Sequence, residues 1–382
     1  MTKKKFGFGV MAAGAALLAA GPVMAHPGGH HTHLWSTGNE SVKVAEAVPA
    51  TPLPSDLTKV SGQGDLQFKL LHTSASLPAK ALDGLNAAHG GFAVDRREGK
   101  GEIYFALPQV GIIRIANDLN TIEILPTDAE MATKNMHNSK FWVGDNGQAY
   151  LTFPGTDSAR VWTTTDQGAL VNILEAPTAD TPFDDATVSA YFDVAENKFV
   201  PTDVEVLDNR FYVATGYSKL DYVLTADVKS KDEFSSAWNP FAFGGKGDGP
   251  GQFGTGHGIT VAPDGKTITV ADRPNSEIES FTNKGKHLGA LPLPKGSLPC
   301  DIDYQSGLTI VGCLEGPDKT KGAPIYIVKD GAVISTITIK DDLGLDKFVH
   351  IHNAVMVEKD EKFYIIAQAW NPGDFAILEQ VK

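Results

Sequence analysis

Residues 251–281 read GQFGTGHGITVAPDGKTITVADRPNSEIESF. The stretch leaves a glycine-rich loop, alternates through GITV, turns on PDG, returns as TITVAD and begins a third alternating run at EIESF. Short alternating runs joined by Asp, Asn and Gly turns read as strands of an antiparallel meander. Inside it stand one histidine, His257, and one arginine, Arg273. The question is whether they belong to the grammar of a repeat or to chemistry.

Outward from this stretch the pattern recurs. A period of roughly 43 to 65 residues can be followed six times, and such periodicity outranks any other fold signal. The other units open at AHGGFAV, MHNSKFWVGDNG, FVPTDVEVLDN, LPCDIDYQSG and HIHNAVMVEKDE. Units of three or four strands at this spacing predict propeller blades, none of which can bury both faces alone. The sixth unit has three strands when the chain stops at Lys382, while a spare strand-like segment, DLQFKLLH (Asp65 to His72), precedes the first. The expectation is an all-β, six-bladed β-propeller over residues 65–382, its last blade completed by that N-terminal strand. Closure of this kind removes open sheet edges.

The chain opens with three lysines, a short Ala/Gly-rich apolar run and VMA, the layout of a signal peptide cleaved after Ala25. The run is too short for a lasting membrane span. A secreted or periplasmic protein is expected. Residues 26–64 form a His-rich, Pro/Ala/Ser-rich tail and linker in which little fixed structure is expected. The tail HPGGHHTH suits weak metal capture. Net charge is −13 over the whole chain, and without the three lysines of the leader it falls further. An acidic chain without a basic cluster repels phosphate backbones, so nucleic acid is excluded as a partner. The two cysteines, Cys300 and Cys313, flank a hairpin turn at YQSGL whose register sets them opposite each other. A disulfide, free buried thiols and a Cys300 pointing into a central channel all remain open.

The quoted repeat resembles the NHL-repeat blade across about residues 66–382. Several short motifs are similar to peptidyl-α-hydroxyglycine α-amidating lyase. In that family three histidines at the starts of the inner strands of alternate blades bind zinc in the channel. The matching residues are His137 in MHNSKFW, His257 in GHGITV and His352 in HNAVMV. Three imidazoles with a fourth position open are the catalytic form of a zinc site. Arg273 in VADRPN matches the substrate-binding arginine, and Tyr217 in VATGYSKL matches the catalytic tyrosine. The resemblance implies that Arg273 clamps a carboxylate while Tyr217, its pKa drawn down by zinc and arginine, acts as general base. The implied reaction splits a carbinolamide C–N bond. The family's structural calcium is helped by an aspartate after the sixth-blade histidine, where this chain has Asn353, and its first-blade arginine has no counterpart in IYFALPQVG. His89 is expected to line the channel without binding, and His350 to be either a neighbour of the metal or a surface residue. Plainer readings exist: Arg273 as an ion pair between blades, Tyr217 as a packed aromatic. The competing function is a non-catalytic propeller that binds a protein, peptide or metal, since fold alone does not decide activity.

Overall fold

A computed structural model of the protein describes residues 48–49 and 59–381. The expected leader and the histidines of 26–33 lie outside the described residues. Among those described, no helix is long and apolar enough to cross a membrane.

Six antiparallel sheets follow one another along the chain, and their order is that of a six-bladed β-propeller. The innermost strands, blade one to blade six, are Ala93–Val94, Lys140–Val143, Asp203–Leu207, Gly256–Val261, Pro299–Gln305 and Ile351–Lys359. The opening stretch is most of blade four: Gly256–Val261 pairs Thr267–Asp272, which pairs Glu277–Thr282, and His287–Pro292 lies outside. Its PDG turn works as its residues dictate. Asp264 Oδ1 accepts the backbone N–H groups of Lys266 and Thr267 at 2.9 Å each, and Gly265 takes φ +66°.

The apolar residues explain why the blades stack. They fall into clusters that each join two neighbouring blades. Trp142, Val161, Phe211 and Leu224 join blades two and three, for example, while Phe68, Ile310, Ile325, Met356 and Ile365 join five and six. Successive strand residues point to opposite faces, so each blade gives one face to each neighbour.

The ring closes as expected. Leu66–Thr73 runs antiparallel to Asp374–Gln380, with His72 opposite Ile377 and Lys69 opposite Glu379. Two further strands lie within 26–64, where little fixed structure was expected. Ser61–Gln63 continues the closing strand as a hairpin, and Val48–Pro49 pairs with Thr121–Ile124 at the outer edge of blade one. Neither segment has a hydrophobic period to announce it. Each takes its place by backbone pairing along an edge that would otherwise stay open.

The cysteine hairpin shows how a bulge alters a register. Ser306 and Gly307 both take positive φ, and Asp301 faces Gly312 as the turn requires. The register then slips, so that Pro299 rather than Cys300 stands opposite Cys313. Both cysteines are free and buried. Cys313 packs between blades four and five, whereas Cys300 sits in the bulge and meets the channel.

Candidate metal centre

The three histidines singled out in the sequence stand where the innermost strands lose regular pairing. The ladder of blade four slips between Gly256 and Ile259, around His257, and that of blade six between Ile351 and Asn353, around His352. His137 precedes the first paired residue of its strand. A bulge re-aims a side chain that a regular ladder would fix to one face of the sheet. Here all three imidazoles are fully buried and meet, with ring centroids 4.5 Å (His137–His352), 4.8 Å (His137–His257) and 5.0 Å (His257–His352) apart.

A single rule orients them. His137 Nδ1 lies 2.5 Å from the Thr202 carbonyl, His257 Nδ1 2.7 Å from that of Cys300, and His352 Nδ1 2.8 Å from that of Gly90. Even-numbered blades supply imidazoles and the next odd-numbered blade supplies a carbonyl. A carbonyl can only accept, so each Nδ1 carries the proton and each Nε2 keeps its lone pair. His137 Nε2 and His352 Nε2 face each other at 3.0 Å. Burial pushes all three well below the ordinary histidine pKa, and neighbouring imidazoles and Arg273 push the same way. Neutral imidazoles, each held through Nδ1–H by a carbonyl, are metal-ligand types with their outer support; the nitrogens that lie within 4.8 Å of one another are those of His137, His352 and His89, while His257 Nε2 faces Tyr217 Oη.

Tyr217 and Arg273 join this cluster. Tyr217 Oη lies 3.0 Å from His257 Nε2 and accepts from Arg273 Nη1 at 2.9 Å. The tyrosine follows Gly216, where a Cβ would stand 2.2 Å from the Gly256 carbonyl oxygen, so the absence of a side chain lets its loop approach blade four. Burial raises the Tyr217 pKa and Arg273 only partly opposes it. In the protein alone, therefore, the downward pull expected of Arg273 does not prevail.

Arg273 is only 8% exposed and, among the described residues, makes no ion pair within 4.0 Å. The expected alternative, a salt bridge between blades, is not what the structure contains. The second arm, Nη2, reaches Cys300 Sγ at 3.0 Å, and Nε is buried without a partner. Its neighbour Asp272 instead accepts the backbone N–H groups of Gly254 and Thr255. His350 stands apart, its Nδ1 3.0 Å from the Leu314 carbonyl and its ring 5.9 Å from Trp370.

One residue further along the inner strands lies a polar layer of which the sequence reading names only Asn353. Asp203, Asp301, Asn138 and Asn353 are all buried. Asp203 accepts backbone N–H groups from Val204 and Ile259, and Asp301 accepts those of Ile302 and the Asn353 side chain. Burial raises Asp203 to about 8 and Asp301 well above the usual carboxylate range. The Oδ1 atoms of both asparagines have no partner. Gly91 and Gly258 keep the layer open, since a Cβ would lie 2.4 Å from Asn138 Oδ1 at the first and 2.6 Å from Asp301 Oδ1 at the second. A cavity of ≈ 350 Å³, walled by Phe92, Phe141 and Ile302, reaches Asp203 and Asp301. Aligning the blade openings as HN, TD, CD and HN would have disclosed this layer, because the second member of each pair is polar.

Fold and site together define a six-bladed β-propeller with a histidine-lined channel. No family model and no curated protein matches the sequence. Among solved structures, it is similar to hydrazine synthase of Kuenenia stuttgartiensis, at 13% identity and TM-score 0.38 over 60% of this chain. The match spans 55%, about half, of that protein's length. It is also similar to streptogramin B lyase, at 12% identity and TM-score 0.47 over 77% of this chain and 94% of that one. A catalytically inactive virginiamycin B lyase from Staphylococcus aureus with quinupristin gives 12% and 0.47 over 84% and 100%. Likeness this remote carries no argument about activity, and the propeller assignment rests on the sheets themselves.

Proposed function

We propose that His137, His257 and His352 hold a divalent metal of zinc type, and that the protein is an exported lyase-like propeller acting on a small hydroxylated and carboxylated substrate. The observation that carries this reading is the set of three carbonyl-pinned imidazoles, two of whose lone-pair nitrogens face each other at 3.0 Å. Two lone pairs at that distance repel unless a proton or a shared metal ion bridges them, and burial works against the proton by holding both imidazoles well below the ordinary histidine pKa. A bound divalent ion would act as a Lewis acid toward a substrate oxygen.

The remaining roles belong to the chain. Arg273 is a buried guanidinium without a carboxylate, and an uncompensated buried charge is costly enough that a bound anion would be favoured there. Cys300 holds one of its arms and marks where a substrate carboxylate would bond in a fork. Tyr217 Oη, between Arg273 and His257, is placed to take the proton of a substrate hydroxyl and return it to a departing nitrogen. With a peptidyl-α-hydroxyglycine this would break the C–N bond and release the amide and glyoxylate, which is the reaction the sequence resemblance implies. Calcium, the structural ion the resemblance implies, would find its oxygen donors in the polar layer, where the unpartnered asparagine oxygens stand beside Asp203 and Asp301.

Metal analysis of the purified protein tests the centre. One zinc-type ion per chain is expected, lost in His137→Ala and in His352→Ala; metal retained in both variants rejects the site. If metal binds, turnover of an α-hydroxyglycine peptide should fall by about 10²–10⁴ in Tyr217→Phe, the range for loss of a general base. Metal bound one to one without turnover of any such peptide would favour a binding propeller instead.

A further inference from the structure

The sequence set of three histidines leaves His89 outside, yet the structure places it within the same cluster. Its ring centroid is 4.5 Å from His137 and 4.6 Å from His352, and one nitrogen of each of these three residues lies within 4.8 Å of the others. The ring stacks on Trp370 at 5.2 Å, with the planes 27° apart, and on Tyr217 at 6.2 Å, with the planes 24° apart.

The one obstacle is the proton. His89 Nδ1 lies 2.9 Å from Asn135 Nδ2, and an amide NH₂ can only donate. In that state the neutral ring carries its proton on Nε2, which cannot ligate. Asn135 contains the remedy, because its Oδ1 is buried and has no partner. Turning the amide by half a revolution presents Oδ1 to the ring, moves the proton to Nδ1 and frees Nε2. His89 would then match the other three histidines, each donating Nδ1–H to an oxygen.

We propose that His89 is a fourth imidazole ligand of the channel metal, and that the Asn135 amide is the positioning residue that switches its tautomer. The proposal rests on the metal reading above. It also changes its chemistry, since four protein ligands close a zinc-type site and three leave a position open. With an ion bound, an oxygen ligand would need one imidazole to give way. His257 is suited to this, because its Nε2 has Tyr217 Oη as an alternative partner at 3.0 Å.

The test is a Co²⁺ titration of metal-stripped full-length protein, read by visible ligand-field absorption and by affinity in competition with a chelator. His89→Phe keeps an aromatic ring in the stack and removes the ligating nitrogens. Its affinity should fall by more than the ~10–100-fold typical of losing an outer hydrogen-bond partner, with a shifted Co²⁺ band. Asn135→Leu should fall within that ~10–100-fold range, and Asn135→Asp, which always offers an oxygen, should restore binding. Near-UV circular dichroism separates a misfolded variant from a folded one that has lost a ligand, and the Asn135 pair decides the matter if His89→Phe does not fold. A wild-type band and affinity in folded His89→Phe, or equal affinities for Asn135→Leu and Asn135→Asp, would overturn the proposal. If the wild-type protein itself takes up no Co²⁺, the metal reading fails rather than this extension of it.

Discussion

Gly258→Ala is a one-methyl perturbation whose consequences can be worked through the structure. Gly258 does not need its freedom of φ. It needs space, because a Cβ would stand 2.5 Å from the Cys300 carbonyl oxygen, 2.7 Å from Asp301 Cα and 2.6 Å from Asp301 Oδ1. Ordinary contact begins at 3.4 Å, so blade five must retreat or the carbonyl turn by about 0.9 Å. Both are movements of backbone within a paired strand, and overpacking of that kind costs about 1–3 kcal/mol. The displaced carbonyl is also the acceptor of the 2.7 Å bond from His257 Nδ1. Losing that outer bond should weaken metal affinity by ~10–100-fold, which corresponds to about 1.4–2.7 kcal/mol. The variant should therefore be destabilised in both states, and more so with metal present, because the extra loss appears only when the metal is bound. Urea unfolding with and without saturating Zn²⁺ measures the difference, and chelator competition measures the affinity. Gly249→Ala is the control, since its Cβ would meet only the end of the flexible Gln252 side chain. A Gly258→Ala protein that loses stability but binds metal like wild type would refute the chain from carbonyl to imidazole to metal.

Phe68 is fully buried on the closing strand between blades five and six, so Phe68→Ala should lower unfolding free energy by about 3–5 kcal/mol in a denaturant titration. A loss below about 1 kcal/mol would mean that the closing strand is not held by its core contact. Arg273→Met should abolish saturation by carboxylated substrates while leaving Zn²⁺ content at wild-type level; a parallel loss of zinc would show that the arginine serves the metal and not the substrate. Burial raises Asp221 to about 6, against the pull of the Gly256 N–H and Lys246. A raised folded pKa means that its contribution to stability is full below the unfolded value near 4 and is lost as pH rises through about 6. Asp221→Asn should then show a flatter stability profile than wild type between pH 4 and 7. A steeper decline in the variant would reverse the sign of that argument.

The fold could be read from the sequence because its signals are local and repeated. Each hairpin carries its own turn residues, as Asp264 and Gly265 do, and each strand its own alternation, so six weak readings reinforce one another. The closing strand Leu66–Thr73 was legible by arithmetic, since a blade one strand short and a spare strand at the other end satisfy each other. Val48–Pro49 and Ser61–Gln63 were not legible. They are two and three residues long: Val48–Pro49 is held by the edge of a strand about 70 residues away, and Ser61–Gln63 by the edge of the strand that follows it.

The site divides along the same line between local and distant causes. His137, His257 and His352 could be picked out because the repeat assigns each the same place in its own blade. Their partners could not, because the carbonyls of Thr202, Cys300 and Gly90 belong to the next blade and carry no side-chain signal. The cysteine register failed for a related reason: a bulge at Cys300 breaks the count that the turn imposes, and the same bulge brings its sulfur to Arg273. The bulges in blades four, five and six all fall at the histidine end of the inner strands. A regular ladder there would fix each side chain by its pleat, and His257 and His352 would have no means of leaving it. The irregular residues of the repeat are thus the ones that distinguish this channel from a plain core, and the candidate site is concentrated where the repeat grammar lapses.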